Sequence, residues 1–460
     1  MFGKVQNIHF VGIGGIGMSG IAEVLVNLGF KVSGSDIKSG ATTDRLAKLG
    51  VSIHIGHDAK CVQDAQVVVV SSAVKSDNPE VEAAHIAKIP VIPRGEMLAE
   101  LMRMKEGVAV AGSHGKTTTT SMIAHILSKG GLDPTIVVGG KLGILGSNAK
   151  LGKGPTLIAE ADESDGSFLM LSPTWAVITN IDREHLDHYK DLDEIKASFI
   201  DFANKVPFYG CVLVCMDCAN VASIRPHLRR QVRTYGTNPQ VDIQARNIRQ
   251  DGLHTHFNAR AFGEDLGDFH LYVPGRHMAL NALAATGMAL EMGIEVDVIR
   301  TALEEFTGAD RRFTLKGERD GVMVVDDYGH HPTEIAATLS GARSGFPDRR
   351  IVAAFQPHRY SRTQALLDEF ARAFFDADVV AVSDIYPASE APIPGLTGQT
   401  LVDALRSVGQ REVHYVPDIQ NMPSCLREIT RPKDLLITFG AGSITQVGPV
   451  FLELYSRPLS

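Results

Sequence analysis

A glycine-rich loop between two patterned segments constrains the fold of this chain more than any other feature. Residues 108–112 (V-A-V-A-G) form an apolar run typical of a buried strand, and residues 118–129 have the composition of a helix. The loop between them has the pattern G-x-x-G-K-T and consists of Gly112, Ser113, His114, Gly115, Lys116 and Thr117. A strand, a tight glycine loop and a helix in this order predict a βα unit of an α/β sheet.

The same loop has the chemistry of a phosphate-binding site. Its backbone N–H groups and the helix N-terminus can surround phosphate oxygens. Lys116 can offset phosphate charge, and the hydroxyl of Thr117 can bind Mg²⁺. The first glycine of the full motif G-x-x-x-x-G-K-[ST] is missing, because position 110 is Val. The parts that remain still predict a nucleoside triphosphate site.

Short apolar runs alternate with amphipathic stretches along the whole chain, which is typical of βαβ units and largely parallel sheets. The pattern predicts an α/β fold of three domains. Residues 1–106 and 313–460 are expected to be Rossmann-like, and residues 107–312 to contain the phosphate loop. The last domain has five strand candidates, at 322–327, 350–355, 378–384, 413–418 and 434–440.

A second glycine-rich turn lies near the N-terminus. Residues 12–17 match G-x-G-x-x-G between a strand candidate at 7–12 and a helix candidate at 19–29. Asp36 ends the second strand candidate, where an acid that binds ribose would lie. Taken alone, this turn predicts an NAD-dependent oxidoreductase, although another diphosphate ligand would satisfy the same contacts.

Two polar segments follow strand candidates downstream of the phosphate loop. The first is E-A-D-E-S-D at 160–165, whose four carboxylates suit Mg²⁺. A solvated acidic loop that binds no ion would have the same sequence pattern. The second is T-N-I-D-R-E-H-L-D-H at 179–188, where His185 could bind a second cation or position a phosphate. Both segments predict a cation site near the loop.

Charge and cysteine content exclude several classes of protein. The net charge of −8, from 45 basic and 53 acidic residues, argues against a protein that coats nucleic acid. Five cysteines, an odd number in a long chain, argue against a disulfide framework. Three of them are clustered at Cys211, Cys215 and Cys218, where zinc binding is an alternative to burial. No fourth ligand follows at finger-like spacing, so C-V-L-V-C favours a buried strand.

The chain carries no pattern of export or membrane insertion. It lacks a basic N-terminal region followed by an apolar stretch and a cleavage site. No uninterrupted apolar run approaches 18 residues. We therefore expect a cytoplasmic protein that does not bind a membrane.

Six motifs, in the same order over essentially the whole chain, resemble those of the Mur ligase family. They are G-S-H-G-K-T-T-T (112–119), E-A-D-E-S-D (160–165), T-N-I-D-R-E-H-L-D (179–187), G-R-H-M-A-L-N-A (275–282), D-D-Y-G-H-H-P (326–332) and Q-P-H-R-Y-S-R-T (356–363). The opening G-I-G-G-I-G-M-S-G and the H-R-Y-S-R-T stretch look most like the alanine-adding branch.

The resemblance implies an activity and its substrates. The expected reaction is ATP-dependent ligation of L-alanine to the carboxylate of UDP-N-acetylmuramate, through an acyl phosphate, in peptidoglycan precursor synthesis. ATP and Mg²⁺ are the implied cosubstrate and cofactor. The first domain would bind the UDP-sugar, the second ATP, and the third the amino acid and part of the nucleotide.

The resemblance also implies a role for individual residues. The UDP-sugar would contact Gly14, Gly15, Gly17, Asp36, His57 and Ser72. ATP would contact Gly112, Ser113, His114, Gly115, Lys116, Thr117, Thr118, His277, Asn281, Arg311 and Asp326. Thr117, Glu160 and His185 would hold Mg²⁺. The muramoyl carboxylate or the amino acid would face His358, Arg359 and Arg362, and the base that accepts the amine proton would be His330 or His358.

Three alternatives remain open at the level of sequence. A recycling ligase that adds the wall tripeptide shares the motifs of the first two domains. An NAD-dependent oxidoreductase would explain residues 12–17 but would give the loop at 112–117 no role. A nucleotide-binding switch or scaffold without enzymatic activity would leave the His/Arg cluster at 358–362 unexplained.

Overall fold

Three sheets form the framework of the protein. The computed structural model describes residues 4–71, 73–142, 147–185 and 188–454. Within these ranges the sheets contain five, ten and six strands, most of them parallel. The predicted α/β class is therefore confirmed.

The contacts between residues divide the chain into two compact units. The first comprises Met1–Arg246, Asn258–Phe269 and Leu280–Ala309. The second comprises Asn247–Phe257, His270–Ala279 and Asp310–Ser460. Three segments of the predicted central domain, residues 247–257, 270–279 and 310–312, therefore belong to the second unit. The predicted domain limits at 106/107 and 312/313 stay predictions.

Five parallel strands form the N-terminal sheet. Its strands and α-helices are β1 (Asn7–Val11), α1 (Ile16–Asn27), β2 (Lys31–Asp36), α2 (Ala41–Lys48), β3 (Ser52–Ile55), β4 (Val67–Val70), α3 (Pro79–Ile86), β5 (Val91–Pro93) and α4 (Arg94–Arg103). The strand order is β3-β2-β1-β4-β5. Phe10 of β1 and Ile21 of α1 are buried in one core. The glycine turn joins these two elements and therefore lies at the carboxyl end of β1, the central strand.

Ten strands form the central sheet. Its elements are β6 (Glu106–Ala111), α5 (Lys116–Lys129), β7 (Thr135–Leu142), β8 (Ser147–Lys150), β9 (Thr156–Glu160), β10 (Trp175–Ile178), α6 (Leu192–Asn204), β11 (Cys211–Cys215), α7 (Ala219–Ile224), β12 (Gln231–Gly236), β13 (Ile243–Asp251), β14 (His254–Ala261), β15 (Glu264–Leu271), α8 (Arg276–Glu291) and α9 (Val296–Glu304). The strand order is β15-β14-β13-β12-β11-β10-β6-β9-β7-β8. Because β6 lies between β9 and β10, the phosphate loop opens beside the ends of both strands.

Six strands form the C-terminal sheet. Its elements are β16 (Thr314–Arg319), β17 (Val322–Asp327), α10 (Pro332–Gly345), β18 (Ile351–Phe355), α11 (Tyr360–Ala365), α12 (Leu367–Arg372), β19 (Val379–Val382), α13 (Gly398–Ser407), β20 (Val413–Tyr415), α14 (Met422–Ile429), β21 (Leu435–Phe439) and α15 (Val447–Leu454). The order is β16-β17-β21-β18-β19-β20, and only the β16–β17 pair is antiparallel. All five strand candidates are confirmed.

The cysteine prediction is also confirmed. Cys211 and Cys215 lie in β11 and are 2% and 3% exposed. Burial raises the pKa of each thiol to about 12, so both stay protonated at neutral pH. They act as core residues of the central sheet.

Among the described residues, the longest apolar helices all fall short of what is needed to cross a bilayer.

Candidate functional site

Two glycines give the phosphate loop its shape. Gly112 has a φ of +137° and Gly115 a φ of +82°, which residues with a side chain rarely adopt. A Cβ at Gly112 would overlap Thr179 Oγ1, and a Cβ at Gly115 would lie 2.7 Å from Asn281 Oδ1. The loop therefore packs closely against the end of β10 and against α8. Asn281, which the family resemblance places near adenine, borders the loop.

Hydrogen bonds from the residues after β10 fix the loop backbone. Ser113 N donates to Asn180 O at 3.1 Å, and His114 N donates to Asn180 Oδ1 at 2.8 Å. Thr179 Oγ1 donates to His114 O at 2.6 Å, and Asp182 N donates to Ser113 Oγ at 2.8 Å. This part of the second polar segment therefore supports the loop.

Lys116 begins α5, and its ammonium group is held inside the loop. Nζ donates to Gly112 O at 2.6 Å, to Ser113 O at 3.2 Å and to Glu163 Oε1 at 2.8 Å. Burial opposes the charge, but the carboxylates of Glu163 and Asp162 outweigh it, so the pKa of Lys116 is raised. Lys116 therefore carries a full positive charge inside the loop, and its contact with nucleotide phosphates stays a prediction.

Three side chains beside Lys116 form a cluster of cation-binding groups. One ligand atom from each of Glu163, Glu184 and His185 lies within 4.8 Å of the others. His185 Nε2 is 3.6 Å from Glu163 Oε1 and 3.8 Å from Glu184 Oε2. Glu163 is 2% exposed, and its Oε2 has no hydrogen-bond partner in the part of the chain that the structure describes. A buried acceptor without a donor fits a bound cation.

The sequence predicts a different ligand set, Thr117, Glu160 and His185. The structure places only His185 in the cluster. Thr117 lies in the first turn of α5, and Glu160 ends β9, where it pairs with Val110 just before the loop. Glu163 and Glu184 lie in the motifs on which the prediction rests, but spacing alone does not show which carboxylates turn inward.

A cleft of about 410 Å³ opens at the carboxyl end of the first sheet. Four residues predicted to bind the UDP-sugar line it, namely Gly14, Gly15, Asp36 and His57. Gly17 lies beside Arg94 instead, since a Cβ there would be 2.8 Å from Arg94 Nη1. Ser72 lies outside the described residues.

Asp36 supports the glycine turn directly. Its Oδ2 accepts a hydrogen bond from Gly14 N at 2.8 Å, and its Oδ1 accepts one from Lys38 N at 3.3 Å. In dinucleotide-binding enzymes the acid at this position accepts ribose hydroxyls. Here the Asp36 carboxylate already accepts hydrogen bonds from Gly14 N and Lys38 N, which uses part of its capacity to accept bonds from a ligand.

Arg94 is a residue of the site that the sequence does not single out. It begins α4, and its Nη2 donates to Asp162 Oδ2 at 3.0 Å. Burial opposes ionisation of Asp162, but Lys116 and Arg94 outweigh it, so the pKa of Asp162 is lowered. Arg94 therefore lies between the glycine turn, at Gly17, and the acidic segment beside Lys116. No sequence motif indicates that Arg94 belongs to the site.

In the second unit, Asp326 orients Arg311. The carboxylate of Asp326 is fully buried at the end of β17. It accepts hydrogen bonds from Arg311 Nε at 3.0 Å, Thr438 Oγ1 at 2.8 Å and Thr445 Oγ1 at 2.8 Å. Arg311 Nη2 also donates to Gly440 O at 2.5 Å. Contact of Asp326 with ribose stays a prediction.

His330, His358 and Arg362 also come together in the second unit. The ring centroids of the two histidines are 5.8 Å apart, and Arg362 Nη1 donates to His358 O at 3.3 Å. The ring of His358 stacks on Tyr386, at 5.5 Å between centroids and 10° between planes. Arg359 precedes α11 with a φ of +72°, and its N donates to Tyr386 O. The predicted His/Arg group is thus one cluster.

His277, predicted to lie near adenine, is in the first turn of α8 and belongs to the second unit. Burial and the charge of Arg312 lower its pKa to about 4. Its imidazole is therefore neutral at pH 7.

We expect His358 to stay neutral over the whole physiological range. Burial and the nearby charges of His330 and Arg362 lower its pKa to about 3. Because an unfolded imidazole titrates near 6.5, this group removes stability as the pH falls below that value toward 3. ¹⁵N-histidine NMR between pH 5 and 8, with the signal assigned from the His358→Gln variant, should show no titration of His358. A midpoint near 6.5 would contradict the burial argument.

Lys116 carries its charge inside one glycine-rich loop, and a separate cleft lies at the glycine turn of the first sheet. This arrangement is that of a nucleotide-dependent enzyme with two ligand sites. Three family models match the chain: the Mur ligase family catalytic domain over residues 7–106, the Mur ligase middle domain over 110–289, and the Mur ligase glutamate ligase domain over 311–442. The chain belongs to the Mur ligase family, as its motifs predict.

Individual relatives match the chain over almost its whole length. A UDP-N-acetylmuramate–L-alanine ligase of Geobacter sp. (strain M21) is 56% identical over 452 residues, which cover 98% of each chain. The solved structure of a UDP-N-acetylmuramate–alanine ligase from Thermotoga maritima has a TM-score of 0.81 and 31% identity, and the match covers 98% of this chain and 99% of that one. A murein peptide ligase from Psychrobacter arcticus, at 24% identity, has a TM-score of 0.71 with 99% and 100% coverage and shares the fold.

Proposed function

We propose that this chain uses ATP to join L-alanine to the carboxylate of UDP-N-acetylmuramate, in the synthesis of peptidoglycan precursors. The observation that carries the proposal is the full-length match to a UDP-N-acetylmuramate–L-alanine ligase. The geometry of the first unit agrees with it, since a lysine-bearing phosphate loop and a glycine-lined cleft offer separate sites for the two nucleotides. Because ATP and a nucleotide-linked sugar are the substrates, we infer that the reaction takes place in the cytoplasm.

The chemistry requires that the sugar carboxylate be activated, because oxide is a poor leaving group. Transfer of the γ-phosphoryl group of ATP to a carboxylate oxygen gives an acyl phosphate and ADP. The amine of L-alanine then attacks the acyl carbon, loses a proton to a base and displaces phosphate. Lys116 would neutralise charge on the transferred group, while the loop amides fix its position.

The cluster beside Lys116 fits Mg²⁺. Glu163, Glu184 and His185 would hold it, and the predicted ligands Thr117 and Glu160 lie on the neighbouring α5 and β9. Bound there, Mg²⁺ would supply positive charge to phosphate oxygens. The observation that favours this assignment is the Oε2 of Glu163, which has no hydrogen-bond partner among the described residues.

His330 is the better candidate for the base. Its Nδ1 lies 3.1 Å from Tyr328 O, a contact that requires the proton on Nδ1 and leaves Nε2 as the basic nitrogen. His358, with a pKa of about 3, holds a proton too weakly for this task. We propose that His358, Arg359 and Arg362 bind carboxylate groups of the substrates instead.

One assay separates this proposal from its rivals. Phosphate release is measured with ATP and UDP-N-acetylmuramate, with L-alanine, with the wall tripeptide or with neither. Release that requires L-alanine is the expected result. Release only with the tripeptide would indicate the recycling ligase. Oxidation of NADH, followed by its absorbance in a parallel sample, would indicate an oxidoreductase. No turnover in either measurement would indicate a scaffold.

A further inference from the structure

A buried network lies behind the glycine cleft and ends at His57. Glu80, in the first turn of α3, is 0% exposed. Its Oε2 accepts hydrogen bonds from Ser35 Oγ at 2.6 Å and from His9 Nε2 at 3.1 Å, and its Oε1 accepts one from Asp58 N at 3.1 Å. The proposed mechanism does not use this carboxylate.

The hydrogen bonds determine which atom donates and which accepts at each contact of the network. Burial opposes ionisation of Glu80, but the bonds from His9 and Ser35 outweigh it, so its pKa is lowered. An ionised carboxylate only accepts, so the Ser35 hydroxyl donates its proton to Glu80. Ser35 Oγ must then accept in its 3.0 Å contact with His57 Nδ1, which also faces Glu80 Oε1 at 3.5 Å. The proton of the imidazole is therefore on Nδ1.

In the neutral imidazole this tautomer leaves Nε2 of His57 as a hydrogen-bond acceptor. His57 lines the cleft together with Gly14 and Asp36. We propose that Glu80 and Ser35 are positioning residues that hold His57 as an acceptor for a donor group of the bound nucleotide. Two groups of UDP offer such a donor, the imide N–H of uracil and the ribose hydroxyls. The inference rests on the proposed UDP-sugar site.

Ser35→Ala is the sharpest test, because it removes the relaying hydroxyl alone. The carbonyl of Ser35, which accepts from Gly12 N and Ile13 N at 2.9 Å, is retained. Titration of UDP into the full chain, followed by calorimetry, should show a Kd raised about tenfold, as expected for one hydrogen bond. Turnover should show a raised KM for the UDP-sugar, with kcat and the KM for ATP unchanged. Glu80→Gln should give the same pattern.

Coupling to His57 distinguishes positioning from general damage. If Ser35 acts through His57, the double variant Ser35→Ala/His57→Ala should bind UDP no more weakly than His57→Ala alone. Ser19→Ala is the matched control, since Ser19 is also a buried serine and its Oγ donates to Ile16 O at 2.9 Å, not to a member of this network. It should leave the Kd unchanged. Additive losses, or an equal loss in Ser19→Ala, would overturn the inference.

Analogues of UDP identify the donor. 3-Methyl-UDP lacks the imide proton, and 2′-deoxy- and 3′-deoxy-UDP each lack one hydroxyl. One of them should bind wild type about tenfold more weakly than UDP, yet bind His57→Ala as well as UDP does. Equal binding of all four by wild type would overturn the inference while leaving the proposed function intact. Failure of wild type to bind UDP would instead overturn the proposed function, and the inference with it.

Discussion

Replacing Lys116 by methionine is expected to reduce kcat by at least about a hundredfold, the effect of removing one preorganised charge from a transition state. The loop amides can still hold the triphosphate, but nothing replaces the ammonium that Glu163 keeps charged. Binding of UDP should be unchanged, because the glycine cleft is lined by other residues. Phosphate-release kinetics and UDP calorimetry measure the two effects separately.

Stability must be controlled in this experiment. Lys116→Met leaves the Glu163 carboxylate buried without its ammonium, at a cost of about 3–5 kcal/mol. The double variant Lys116→Met/Glu163→Gln removes both charges and should recover most of the melting temperature without recovering activity. Lys129→Met, at the other end of α5, is the matched control, because its ammonium faces Glu305. Activity restored in the double variant would contradict the assigned role of Lys116.

Replacing Glu163 by glutamine should reduce kcat roughly a hundredfold, by removing one charge from the same site. Two losses combine: Lys116 loses the carboxylate that raises its pKa, and the cluster with Glu184 and His185 loses a charged ligand. The second loss has its own readout. Titration with Mn²⁺, a paramagnetic substitute for Mg²⁺, should show weaker binding by electron paramagnetic resonance.

Asp165→Asn is the control for this variant, because Asp165 lies in the same acidic segment but is exposed, and its Oδ1 accepts a hydrogen bond from Ser167 N. It should keep near-normal turnover and Mn²⁺ affinity. Equal loss in the two variants would indicate that the acidic segment acts through its total charge, and the cluster assignment would then be wrong.

Several central strands of the sheets, such as β18 and β19, could be predicted because they are apolar throughout. V-V-V-V in β4 and L-L-I-T-F in β21 fit only strands that are covered on both faces. The edge strand β16 could not be predicted. Its sequence T-L-K-G-E-R is as polar as a loop, because an edge strand pairs on one side only and faces water.

The candidate site was predictable where unusual residue types are adjacent in sequence, as at Lys116 and His185. It was not predictable where a charge is paired over a long separation. Arg94 meets Asp162 across 68 residues, and Glu80 meets His9 across 71. Arg94, Glu80 and His9 are ordinary in their local sequence, whereas Asp162 belongs to the acidic segment at 160–165. Only the folded chain shows which of these residues pair with each other.

The bond between Gly14 N and Asp36 Oδ2 has a consequence for ligand affinity. It anchors the rim of the cleft to the second strand before any nucleotide arrives, so the conformational entropy of that rim is lost during folding. A ligand then binds to a surface that is already in its binding conformation, so ordering of the protein costs little of the binding free energy. Selectivity at this end of the molecule should therefore come from fit to a rigid template.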